Sequence, residues 1–154
     1  MSEPTITERI QAAMVAAMKE KDAETLSTVR MLKAALMEAK TAKPKDSVLS
    51  PEEEIEVLQR YAKKRRETME LNAKAGRADL NASEEREIAI TQRFLPQLLS
   101  EDEVAAIVKE AVASTGAAGP KDMGKVIGAV MARVAKGTVE GSTVSRLVKA
   151  ALGS

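Results

Sequence analysis

The sequence has no cysteine, no histidine and no tryptophan, and Tyr61 and Phe94 are its only aromatic residues. Without thiols there are no disulfides, no thiolate nucleophile and no thiolate metal ligand, and cysteine says nothing of the redox compartment. Without imidazole, a serine–histidine triad and the usual zinc sites are excluded as well. Neither a GxGxxG fingerprint nor a phosphate-binding P-loop is present. A catalyst would have to rely on lysine, carboxylates, Ser/Thr or Tyr61, and neither a cofactor nor a metal is expected. No stretch approaches the ~20 apolar residues of a membrane span. The opening MSEPTITERIQ lacks the basic-then-apolar order of a leader. Cytoplasmic location and no membrane partner are the resulting expectations.

What is present suits helices. The 154 residues are 44% hydrophobic and 31% charged, enough for one or two domains with a real core. With aromatics scarce, that core has to come from Ala, Leu, Val, Ile and the eight Met. Thr5 followed by Glu8 forms a capping box, and Ile6, Ile10, Met14 and Met18 then recur at helical spacing to about Lys21. Asp22 caps a second helix with Leu26, Val29, Leu32 and Leu36 on one face. The short connection predicts a helical hairpin, with Met31 and Met37 as gap-fillers in its core.

After a polar loop broken by Pro44, Ser50, Pro51 and Glu53 give the clearest helix start in the chain. This third helix is predicted to run to about Ala75 and to stop at Gly76. Its apolar stripe of Ile55, Leu58, Ala62 and Met69 is interrupted by Arg65, within the run Lys63, Lys64, Arg65, Arg66. Four consecutive bases point to all sides of a helix, so they cannot make one patch. Pairing with Glu67 and Glu70 competes with contact to a polyanion, which would be through phosphate because aromatics for base stacking are lacking. Asn81 with Glu84 predicts the cap of a fourth helix carrying Ile88, Ile90, Phe94 and Leu95 and ending before Pro96. Glu84, Glu85 and Glu87 at its start complement the helix dipole better than they suit a metal.

The chain is therefore expected to be all-α, with an N-terminal helical domain over residues 1–98 and a small three-helix domain over 99–154. In the latter, Ser100 with Glu103 starts a helix bearing Val104, Ile107, Val108, Ala111 and Val112. Two shorter helices follow, joined by a turn at Gly137. The first of these places Met123, Val126, Ile127, Val130, Met131 and Val134 at helical spacing, while Gly124, Gly128 and Ala132 fall four apart. Interior glycines cost roughly 1 kcal/mol each against alanine, so such a strip implies close approach, either by a helix of the same domain or by something from outside. Lys121, Lys125, Arg133, Lys136, Arg146 and Lys149 accompany it, six bases against Asp122 and Glu140, a local excess of +4 in a chain of net charge +1.

The run DMGKVIGAVM, then KG, then VSRLVKAAL resembles the tail domain of the GatB/YqeY family, shared by one component of the glutamine-dependent tRNA amidotransferase and by a stand-alone bacterial protein. TVRMLKAAL, LQRYAKKRRETMELNAKAGRADL and RFLPQLLSEDEV extend that resemblance over the whole stand-alone form. The resemblance implies a tRNA-associated module linked to carbon–nitrogen ligation, with Gly124, Lys125, Gly128, Lys136 and Gly137 as the matching positions. It carries over no catalytic residue, since the amidase and phosphorylating parts lie outside this domain. Where the family usually has KGK or KGR, this chain has Thr138-Val139 after the KG turn. Expected partners are thus tRNA or another structured RNA, or alternatively a protein docking on the C-terminal helices, with no DNA. Catalysis by this chain alone is not expected.

Overall fold

The first helix begins where Thr5 accepts a hydrogen bond from the Glu8 N–H and Glu8 reaches back to the Thr5 N–H, closing a capping box. In the computed structural model, which describes residues 3 to 153, this helix is α1, Ile6–Glu20. It is followed by α2 (Ala23–Thr41), α3 (Pro51–Lys74), α4 (Asn81–Gln92), α5 (Glu101–Thr115), α6 (Met123–Arg133) and α7 (Gly141–Ala151). Short 3₁₀ turns at Ala78–Leu80 and Pro120–Asp122 precede α4 and α6, and no strand occurs among the described residues. The all-α class is as the sequence indicates. Contacts divide the chain into two compact units, Met1–Leu95 and Pro96–Ser154.

In the first unit, Lys21 takes the left-handed conformation (φ 57°) at the end of α1, and Asp22 caps α2 through the Thr25 N–H, so the two helices fold back on each other. Ile10, Val29, Leu32, Leu36 and Leu58 are sealed in the core, with Phe94 and Leu95 closing it. Three predicted core methionines are not there: Met18, Met31 and Met37 are each more than half exposed. A four-residue step overshoots one helical turn by about 40°. The row from Ile6 has therefore rotated off the core by Met18, and Ala17 is buried instead. On α2, Met31 and Met37 flank the inward row of Leu32 and Leu36, where Ala35 and Ala39 suffice.

Polar cross-links tie these helices. Glu54, only 3% exposed, accepts hydrogen bonds from the backbone N–H (2.8 Å) and hydroxyl (2.6 Å) of Thr7. It thereby serves the open N-terminus of α1 from α3. The Arg9 guanidinium lies 5.7 Å from the Phe94 ring centre and donates to the Arg93 carbonyl. Asn81 does not cap α4 as its sequence context predicts. The 3₁₀ turn runs straight into that helix, and the Asn81 amide bridges to α3 instead, donating to the Met69 carbonyl and accepting from Asn72.

In the second unit, Ser100 and Glu103 form the predicted box at α5, and Gly116 ends that helix in the left-handed conformation (φ 68°). Val104, Val108, Val126, Val130, Val139, Val144, Val148 and Ala111 make up its buried core. Neither α6 nor α7 has a side-chain cap.

Candidate binding surface

The periodicity of α6 decides what faces out. Val126 and Val130 are buried and Met123, Ile127 and Val134 pack against the same cluster, so the opposite side must meet solvent. That outer side carries Gly124, Gly128, Met131 and Ala132, preceded one turn earlier by Lys121 and joined by Lys125. A Cβ placed on either Gly124 or Gly128 would meet no atom within 4 Å. No helix of its own unit is therefore seated on the strip, which is open at both glycines. Met131, expected among the core positions of this helix, is 44% exposed and extends the apolar part of the strip.

The accompanying cations separate into two groups. Lys121 and Lys125 are exposed and make no ion pair or side-chain hydrogen bond with the described residues. Arg133 is drawn to α5, donating to the Ser114 hydroxyl at 2.6 Å, and Arg146 pairs with Glu101 at the start of the same helix. Lys136 and Lys149 are each engaged in an interaction within the molecule. Gly137 is buried in the turn, in the left-handed conformation (φ 83°), and serves the chain reversal and not a surface. The structure thus gathers Lys121, Gly124, Lys125 and Gly128 on one face and gives Arg133, Arg146 and Gly137 structural work. Thr138-Val139, the pair after the KG turn, is held by packing and backbone hydrogen bonds. The Thr138 carbonyl accepts the Leu99 N–H at 2.8 Å, its hydroxyl donates to the Ala135 carbonyl, and Val139 is buried.

The basic run of α3 is likewise split. Arg65 faces α4, where it pairs with Glu84 (3.5 Å) and Glu87 (3.9 Å) and lies 5.3 Å from the Tyr61 ring centre. Tyr61 donates its hydroxyl to Glu87 at 2.8 Å. Burial, with that hydrogen bond in second place, holds its phenol well above the usual range. Arg66 is also engaged within the molecule, whereas Lys63 and Lys64 are exposed. Glu84 and Glu87 of α4 are hence counter-charges to Arg65, and Glu85 is exposed. Among the described residues no group of three or more acidic side chains is arranged to hold a metal.

Between α2 and α3 lies a pocket of about 320 Å³, lined by Ala35, Glu38, Ala39, Ala42, Val57, Arg60, Tyr61 and Lys64. Its signal was the alanine spacing on α2, which looks like ordinary helix filler until α3 is placed beside it.

A family model described as Yqey-like protein matches residues 7–152. The chain is also similar to the Altered inheritance of mitochondria protein 41, mitochondrial, of Pyrenophora tritici-repentis (strain Pt-1C-BFP). The two are 28% identical over 157 residues, spanning 99% of this chain and 83% of that protein. No helix among the described residues is long and apolar enough to cross a membrane.

Proposed function

This chain belongs to the Yqey-like protein family, and from that premise we propose that it is a non-catalytic module that holds structured RNA, tRNA foremost, against the outer face of α6. The reading draws on the family's link with the tail of the tRNA amidotransferase. The observation that carries it is the open strip at Gly124 and Gly128, unoccupied within 4 Å and bordered by the uncommitted Lys121 and Lys125. A phosphate backbone needs such a surface: no side chains to hold it off, cations beside it, and no demand for aromatic stacking. The same proposal places the chain in the cytoplasm and assigns it no amide-forming chemistry of its own. The mitochondrial name belongs to the fungal relative.

A mobility-shift titration with total tRNA at two salt concentrations tests it. The wild-type chain should bind, and the Lys121→Ala/Lys125→Ala variant should lose roughly tenfold in affinity. Its salt dependence should also be shallower by about two ion equivalents in the log–log slope. Undiminished binding by the variant would refute the surface. The exposure of Met131 favours one other reading, an adaptor whose strip receives an apolar partner helix. Binding of that kind would barely respond to salt and would weaken in a Met131→Ser variant.

A further inference from the structure

Independently of α6, we propose that the pocket between α2 and α3 binds a small amphiphilic anion, one anionic group on a short apolar body. Its volume of about 320 Å³ lies at the lower end for small-molecule sites. The apolar part is built by subtraction. Ala35 and Ala39 are partly buried against the core, and with Ala42 at the C-cap they give the α2 wall three small side chains, interrupted by Glu38, opposite Val57 and Tyr61.

The charged part lies on the α3 wall. Arg60 and Lys64 are four residues apart, so they share one helix face about 6 Å apart at their Cβ atoms. Both are exposed, and neither makes a side-chain hydrogen bond or ion pair with the described residues. This sets them apart from Arg65, which is ion-paired with Glu84 and Glu87 and lies over Tyr61. Two converging cations beside an apolar floor complement a single anionic headgroup with an apolar tail. Glu38, the one acid of the lining, stands on the α2 side. It disfavours a second anionic group there and favours a hydroxyl or amine donor at that end of the ligand.

Tyr61 narrows the choice further. Its hydroxyl is committed to Glu87 and the Arg65 guanidinium packs on one side of its ring, so a nucleobase could not be stacked on both faces. A compact anion fits this lining better than a nucleic acid strand. The headgroup could be a phosphate monoester or a carboxylate, which share the chemistry the two cations would recognise.

The probe is 8-anilinonaphthalene-1-sulfonate, an aromatic anion whose fluorescence rises when it leaves water. With the full chain it should bind saturably at one site. Its affinity should fall at least tenfold in Arg60→Ala/Lys64→Ala, but stay unchanged in the charge-matched Lys19→Ala/Lys109→Ala variant. Ala39→Leu, which fills the floor, should also lower it, with helix content checked by circular dichroism. Backbone amide shifts on titration should centre on Ala35, Ala39 and Ala42. Hexyl phosphate and hexanoate then serve as competitors, the stronger one identifying the headgroup, while inorganic phosphate should compete at least tenfold less well. The proposal is overturned if Arg60→Ala/Lys64→Ala binds as the wild type does, if inorganic phosphate competes as well as hexyl phosphate, or if tRNA displaces the probe and the small anions do not.

Discussion

The two units solve the same problem, a helical core with few aromatics, with different side chains. The first packs Ile, Leu, Val and Phe94 and adds polar links between helices: Thr7 to Glu54, Asn81 to α3, Arg65 to α4. The second buries seven valines and one alanine, leaves α6 and α7 without side-chain caps, and has its cross-links at the exposed rim, at Arg133 and Arg146. Valine's branched side chain is stiff and loses little freedom on burial, so a small core of it can be well defined without being large. The difference teaches where each unit spends its polar residues. In the first they fasten helices from buried or half-buried positions; in the second they fasten them from the exposed rim.

The largest expected effect lies in the leucine-rich core. Leu58→Ala, at a fully buried position, should destabilise by about 3 kcal/mol in urea unfolding followed by circular dichroism. Val130→Ala in the other core removes less and should cost nearer 2 kcal/mol from methyl burial and the small cavity left. Equal costs would dissolve the contrast between the cores.

Next comes the polar link. Glu54→Ala strips two hydrogen bonds from Thr7 and should cost about 2 kcal/mol, because both donors lose a buried acceptor. A loss no larger than that of an exposed glutamate on the same helix would mean the link contributes nothing.

A smaller effect of opposite sign is expected on α6. Gly128→Ala should stabilise the chain by about 0.5–1 kcal/mol, since the added methyl meets nothing within 4 Å and alanine is the better helix former. Destabilisation there would show that the strip is packed after all. A gain in stability with a loss of RNA affinity would show a glycine kept for its binding partner.

The smallest effect concerns acid. A hydrogen bond from Lys43, seconded by the Ser50 N–H, brings the Glu53 carboxyl down to about 2. The folded chain therefore holds this proton less readily than the unfolded chain. Its contribution to stability is complete above the ordinary glutamate range and is lost as pH falls through that range toward 2. Lys43→Ala should flatten that part of the stability–pH curve, and an unchanged curve would count against the pair.

The helix starts were legible because they are local: Thr5/Glu8, Ser50/Glu53 and Ser100/Glu103 each carry their signal within four residues. The buried face of α6 was legible from its period, and so was the oddity of two glycines on the opposite face. What escaped depends on which helix comes to lie beside which. Asn81 reads as a cap until α3 offers it a better partner, and Arg65 reads as part of a basic run until Glu84 and Glu87 arrive from α4. Of the bases around α6, sequence could count charges but not subtract those that Ser114 and Glu101 take up. The pocket needed both of its walls.

Both aromatic side chains, Tyr61 and Phe94, belong to the first unit, and Tyr61 is bonded to Glu87 within it. The molecule therefore carries its one native chromophore of any strength in that half, while the valine-built half is optically silent. Tyrosine emission or near-ultraviolet dichroism follows the melting of α3 and α4, and far-ultraviolet dichroism follows the helices of both halves. Overlaying the two signals on a single heated sample would reveal whether the halves come apart together or in turn, with no label introduced.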